Sequence, residues 1–364
     1  MIHSIQATRQ SFQALRADEK MRHRDIAKEL GISEGELIAA FTGISAIPSD
    51  VGDMQAIRLY PKWLEIMASI KPLGEVMALT RNASCVHEKV GIYNNASQDG
   101  PVGILVGEID LRIFYHAWAH GFAVREMTKD GLQRSLQFFD KAGVAIHKIH
   151  LRAQSNITNY DVLLNQFQSN DQAIGIAVTA LDKPAAELPD QDIDVAAWRQ
   201  SWRAMKDTHD FFGLLRQFKL TRTQGLRLGD PEFVQAMPVT VVKDLLELAA
   251  NASTPLMVFV GNSGMLQIHS GPIHKVVPIG AWINVMDPRF NLHLRSDSIA
   301  QAWLVRKPTV DGIVTSVELF NDSGEAIAMF FGERKPGKLE LTAWRALVDE
   351  LLARSTAIEA QDES

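Results

Sequence analysis

Two kinds of hydrophobic pattern alternate along the chain. Over residues 21–41, which include RDIAKELGIS, and again over 197–220, apolar residues recur at helical spacing beside capping residues. Elsewhere apolar and polar positions alternate over short runs: QIHSG, WINVMD, NLHLR, AWLVRK, VTSVELF and IAMFFGERK. Turn residues, as in NDSG, separate them, so these runs predict antiparallel strands. Helices followed by an antiparallel sheet place the chain in the α+β class.

The pattern occurs twice. VMALTRNASCVHEKVG (76–91) lies without a gap over LMVFVGNSGMLQIHSG (256–271), with Met77 on Met257, Asn82 on Asn262 and Gly91 on Gly271. One residue further in offset, IDLRIFYHAWAHGFAVR (109–125) falls on FNLHLRSDSIAQAWLVR (290–306), and SLQFFDKAGVAI (135–146) on SVELFNDSGEAI (316–327). Three matched blocks in one order predict an internal duplication, each half a large antiparallel β-sheet flanked by α-helices. The halves are expected at 1–180 and 195–364. TALDKPAAELPDQDID (179–194) reads as the solvated connector between them, and TAIEAQDES as a frayed tail.

Bulk properties narrow the function. The chain has 364 residues, 46% of them hydrophobic, enough for two cores. A net charge of −6 argues against general nucleic-acid binding. Cys85 stands alone, so no internal disulfide forms, which fits a reducing compartment. The polar N-terminus lacks a secretory core, and no apolar run approaches the ~20 residues of a membrane span. The expected location is the cytoplasm.

Familiar catalytic motifs are missing: there is no P-loop, no dinucleotide fingerprint and no nucleophile elbow. HEKVG at His87 begins like a zinc-protease helix, but Gly91 stands where the second histidine belongs. His116 and His120 have a helical ligand spacing, yet the matching block reads as sheet entering a turn. His147 and His150, three apart in a strand, face opposite sides and cannot share a metal. His269 and His274 flank a Gly-Pro turn, where a histidine is ordinarily structural. RDIAKELGISEGEL resembles a helix-turn-helix, which would make a DNA-binding regulator; packing of a helical hairpin on its own sheet is the reading favoured by the acidic chain.

One difference between the halves draws attention. His209, in KDTHDFFGLLRQFKLTR, has no histidine counterpart; the same offset lands on Glu29. Cations gather in the same half: Arg222, Lys307 and Arg334, the last two each after an apolar strand and before a proline, hence expected at strand ends on a pocket rim. With Phe211, Phe212, Phe259, Trp303 and Phe331, they suit a flat, apolar, metal-bearing ligand with carboxylates at one edge. Haem has that chemistry: imidazole for iron, aromatics for the macrocycle, Arg and Lys for propionates.

The stretches LGEVMALTRN, VHEKVGIY, GEIDLRIF, RSLQFFDKAGVAIHKI, DTHDFFGLLR, QIHSGPI, WINVMDPRFNLHLR, AWLVRKPTVDG and FFGERKPG extend over nearly the whole chain. In them the sequence resembles the bacterial cytoplasmic haemin-degrading or haem-trafficking proteins, the HemS/ChuS family. The resemblance implies a duplicated fold that binds one haem (iron protoporphyrin IX). It implies that His209 is the axial ligand, that Arg112 and Phe114 of I-D-L-R-x-F lie on the distal side with Arg112 catalytic, and that Arg222, Lys307 and Arg334 bind propionates. Phe259 would pack against the macrocycle. The expected site therefore draws on both halves. The resemblance carries two activities: oxidative degradation of haem with an external electron donor, and carriage of haem from an ABC importer to a separate oxygenase. Importer, oxygenase or reductase are the partners it implies. The apolar faces of the N-terminal helices permit a homodimer.

Overall fold

The computed structural model describes residues 4–17, 21–182, 186–334 and 337–362. The chain divides into two compact units that trade short segments. The first comprises Met1–Arg81, Glu88–Asp182 and Asn262–Gln267, the second Asn82–His87, Lys183–Gly261 and Ile268–Ser364.

The N-terminal half of the sequence forms α1 (Ile5–Arg16), α2 (His23–Glu29), α3 (Glu34–Ala39), β1 (Met54–Arg58), α4 (Trp63–Ala68), β2 (Val76–Arg81), β3 (Cys85–Gly91), β4 (Ser97–Asp99), β5 (Val102–Leu105), β6 (Asp110–Phe114), β7 (His120–Thr128), β8 (Gly131–Phe139), β9 (Ala145–Leu151) and α5 (Ile157–Phe167). The C-terminal half forms α6 (Val195–Arg203), α7 (Asp210–Phe218), α8 (Arg222–Arg227), β10 (Val234–Met237), α9 (Val241–Ala252), β11 (Leu256–Gly261), β12 (Met265–Gly271), β13 (Val276–Ile279), β14 (Trp282–Asp287), β15 (Phe290–Arg295), β16 (Gln301–Thr309), β17 (Gly312–Phe320), β18 (Ala326–Gly332) and α10 (Thr342–Asp362). The duplication is visible in strand order. β1-β7-β8-β9-β2-β3 and β6-β5-β4 in the first set recur as β10-β16-β17-β18-β11-β12 and β15-β14-β13 in the second. The chain is α+β, as its periodicity predicts.

Local chemistry fixes these elements. The turns TKDG and TVDG close the β7–β8 and β16–β17 hairpins, pairing Thr128 with Gly131 and Thr309 with Gly312. Both glycines take a positive φ (+101° and +109°), which an L side chain rarely adopts. Ser33 and Glu36 form a reciprocal capping box at α3.

Each six-stranded run is covered on both faces. Phe122, Val124 and Phe139 pack with Phe12, Ile26 and Leu37 of α1–α3, while Ala123, Leu136 and Phe138 pack with Ile66 of α4 and Leu164 of α5. In the second unit Val305 and Phe320 meet Trp198, Trp202 and Phe211 of α6 and α7. Leu304 and Leu319 turn to the opposite face, with Leu245 of α9 and Trp344 of α10. Neighbouring residues in a strand point to opposite faces, so the alternation read from sequence sorts the two cores. Each such buried large side chain contributes roughly 1.5–3 kcal/mol.

Some expectations need correction. The helical stretch 21–41 is two helices broken around Gly31, and 197–220 is two helices separated by 204–209. The helix-turn-helix-like stretch, by contrast, packs on its own sheet, the reading favoured above, with α3 buried over most of its length. His116 lies in a short 3-10 turn and His120 begins β7, as the matching block implies, so the helical ligand spacing is not realised. Lys307 is not at a strand end; β16 continues through Pro308 to Thr309. The expected frayed tail continues α10 as far as Asp362. Lys335, the end of IAMFFGERK, and Lys183–Ala185 of the connector lie outside the described residues.

Candidate functional site

α7 gives His209 its position. The helix buries Phe211 and Leu215 against Trp198, Trp202 and Phe233, which fixes its inner face. Trp202 donates its indole N–H to the Arg306 carbonyl (3.0 Å) and Val310 N–H bonds the Lys206 carbonyl (2.9 Å), tying the loop before α7 to the sheet. The Asp210 carboxylate accepts the N–H groups of Lys206 and Asp207 (3.1 and 3.0 Å) and closes the turn. His209 occupies the N-cap position with no side-chain cap. Its side chain is 92% exposed, so it is no core histidine.

The ring is nevertheless oriented. Asp207 Oδ1 lies 2.6 Å from His209 Nδ1 and also accepts the His209 backbone N–H at 2.8 Å. In a neutral ring a carboxylate at Nδ1 favours the proton there, with Nε2 as the unprotonated nitrogen. The hydrogen bond from the His209 backbone leads the causes that hold the Asp207 carboxyl below its ordinary range, and the Arg334 charge adds to them. Arg334, just beyond β18, also pairs with Asp311 at 3.5 Å. On the next turn of α7, Phe212 is 62% exposed, with the Arg216 guanidinium 4.8 Å from its ring centre.

Beneath α7 lies a charge cluster on the same sheet face. Arg222 binds Glu318 through Nε and Nη2 (2.7 and 2.8 Å), and Lys307 Nζ reaches Glu318 Oε1 at 2.8 Å. Ser316 donates to the same oxygen at 2.9 Å. Burial opposes ionisation of Glu318, but Arg222 and Lys307 outweigh it and hold the carboxyl far below its usual range. Burial lowers Lys307 to about 8, although Glu318 opposes the shift. Both cations lie over Phe211, at 4.9 Å for Lys307 and 5.2 Å for Arg222. Phe331 is 5.8 Å from Lys307 and 4.8 Å from Phe259. α8 comes this close because Gly225 has no side chain: a Cβ there would stand 2.6 Å from Leu215 Cδ2.

The second unit thus brings together Phe211, Arg222, Phe259, Lys307 and Phe331, and sets His209 beside Asp207 in the field of Arg334. Trp303 is partly buried and bonds Gln301 (3.1 Å). Arg112 and Phe114 belong to the first unit, on β6. There Arg112 is a third exposed and is held by the Asp110 carboxylate and the Leu111 carbonyl.

Glu318 and Asp207 were not singled out from sequence. The aligned repeat holds a signal for Glu318: the position matching it is Gln137, which bonds Ser135 at 3.0 Å. Likewise Glu126 stands where the second half has Lys307. It pairs with Arg16 (2.6 Å) and His23 (3.0 Å). The matched position is thus anionic in one half and cationic in the other.

This duplicated α+β chain presents the solvent-facing, Asp207-bonded imidazole of His209 at the head of the helix that covers the Glu318 ion cluster. The haemin-degrading HemS/ChuX domain matches residues 31–167 and 219–351, and the chain belongs to that family. The hemin transport protein HmuS of Yersinia pestis is 37% identical over 336 residues, 92% of this chain and 94% of that protein. Holo-PhuS, a heme-binding protein from Pseudomonas aeruginosa, superimposes with a TM-score of 0.89 at 42% identity, covering 95% of this chain and 98% of that one. The heme degrading enzyme ChuS of Escherichia coli O157:H7 gives 0.86 at 33% identity, covering 95% and 99%.

Proposed function

We propose that this chain is a cytoplasmic haem-binding protein of haem-iron utilisation, taking one haem through Nε2 of His209. It degrades the haem oxidatively to release iron or hands it on. The observation that carries this reading is the exposed His209 ring, with Nδ1 engaged by Asp207 and Nε2 open. Family membership and likeness to proteins described as heme-binding, heme degrading and hemin transporting support it.

The side chains fit such a ligand. Neutral imidazole is a haem-iron donor. Phe212 offers an exposed aromatic surface, and Phe259, against Phe331, would pack on the macrocycle. Arg334 and Arg222, a quarter exposed, take propionates as charge-assisted partners. Lys307 is buried with Glu318, and together with Arg222 these three groups carry one net positive charge. Arg112 would serve as the distal donor and is the candidate catalytic group; preorganised N–H groups stabilise negative charge as it develops. Bound haem supplies the oxygen chemistry, with electrons from an external reductase.

The exposure of His209 also favours a carrier. A ligand histidine free of packing can exchange, which suits transfer of haem from an importer to a separate oxygenase.

Haemin titration into the protein and into His209→Ala, followed at the Soret band, tests the axial assignment. A saturable 1:1 spectrum altered in His209→Ala supports it; an identical spectrum overturns it. Reductant in air with catalase then separates the activities. Soret decay to an open-chain product, slowed in Arg112→Ala, marks an enzyme. Intact haem passing to an acceptor marks a carrier.

A further inference from the structure

We propose that Asp207 is the positioning residue of His209, selecting the tautomer that exposes the Nε2 lone pair and strengthening that nitrogen as a donor. The inference deepens the haem reading and rests on it for its second half.

No apolar wall holds the ring, since the side chain is 92% exposed. A neutral exposed imidazole otherwise samples both tautomers, and only one leaves Nε2 free to ligate. Here the choice is made by a 2.6 Å bond from Nδ1–H to Asp207 Oδ1. The carboxylate is itself fixed. The same oxygen receives the His209 backbone N–H at 2.8 Å, so ring and main chain of one residue converge on it. The backbone of Asp207 is held by the Asp210 carboxylate at 3.0 Å, at the start of α7. Asp207 therefore moves with the helix that carries His209. An anionic acceptor at Nδ1 pushes electron density toward Nε2, making the ligand more basic. In a haem complex this strengthens the axial bond and favours ferric iron.

Two kinds of measurement test this. In the haem-free protein, long-range 15N–1H correlation at about pH 9, above the ordinary histidine range, reads the tautomer directly. His209 is expected protonated at Nδ1 in the wild type and in Asp207→Asn, whose amide oxygen still accepts, and mixed in Asp207→Ala. In the ferrous haem complex, resonance Raman reads the iron–histidine stretch. Its frequency is expected to fall in Asp207→Ala and in Asp207→Asn, with haem affinity down about tenfold in Asp207→Ala. An unchanged tautomer in Asp207→Ala overturns the selection of the tautomer, and an unchanged stretch in both variants overturns the donor-strength effect. The haem reading fails separately. If His209→Ala binds haem with the wild-type spectrum, the axial assignment is lost, while the haem-free tautomer still reports on Asp207.

Discussion

At the scale of single residues, Glu318 organises the floor of the candidate site. It is fully buried and receives both Arg222 and Lys307. Removing one partner of a buried ion pair leaves an uncompensated charge, at a cost of about 3–5 kcal/mol. Glu318→Ala is therefore expected to lower the urea midpoint of unfolding strongly, and Lys307→Met in the same chain to restore much of it. A Glu318→Ala protein as stable as the wild type would mean that Lys307 finds its compensation elsewhere. Why was Glu318 not legible? In VTSVELF it sits at the polar positions of an alternating strand, and such positions ordinarily face water. Its burial comes from α7 and α8 folding over that face, and its partner Arg222 lies 96 residues away. Lys307 misled for the same reason: a charge before a proline resembles a strand end, whereas here it is a mid-strand charge with an internal partner. His209 stands out in the sequence because the repeat exposes it as a histidine with no counterpart.

At the scale of elements, period-two alternation located the strands and the matched blocks predicted their duplication, because these signals are local. Helix breaks were less visible, since the break before α7 is made by side chain-to-backbone bonds from Asp207 and Asp210 rather than by Gly or Pro. Element packing also answers what His147 does. His147 of β9 lies between Tyr93 (hydroxyl to Nε2, 2.7 Å) and Thr80 of β2 (2.9 Å to Nδ1), and Thr80 donates onward to Gln267 at 2.7 Å. Since Thr80 donates to Gln267 it accepts from Nδ1–H, and in a neutral ring Nε2 is then left to accept from the Tyr93 hydroxyl. Burial, aided by the His150 charge, lowers its pKa to about 3, against an opposing hydrogen bond at Leu79. A folded pKa below the unfolded value means that the unfolded chain takes the proton first as pH falls. This contribution is thus complete above pH ~6.5, declines by about 1.4 kcal/mol per pH unit below it, and is gone below about pH 3. Urea unfolding at pH 7 and pH 5 should show a smaller loss of stability in His147→Gln than in the wild type. Equal losses would show that His147 is not held neutral.

For the molecule as a whole, the duplicated asparagines explain what the aligned blocks could only register. Asn82 counts with the second unit and donates to the Gly261 and Ile327 carbonyls at 3.2 and 2.8 Å. Asn262, from the C-terminal repeat, counts with the first and donates to the Arg81 and Ile146 carbonyls at 2.9 and 2.8 Å. Each turn thus completes the unit opposite to its place in the sequence, an exchange that periodicity cannot reveal because it depends on distant acceptors. Asn262 also braces its own turn, its side-chain oxygen accepting the Gly264 N–H at 3.0 Å. Two main-chain carbonyls would lose their side-chain donor in Asn262→Ala, a loss of about 1–3 kcal/mol where such groups are buried. Hydrogen exchange should then accelerate in β2 and β9 of the first unit, while β11 and β18 keep their protection; Asn82→Ala should give the converse. If Asn262→Ala instead loosens β11 and β18 and leaves β9 protected, each asparagine serves its own stretch of sequence, and the exchange of segments has no energetic weight.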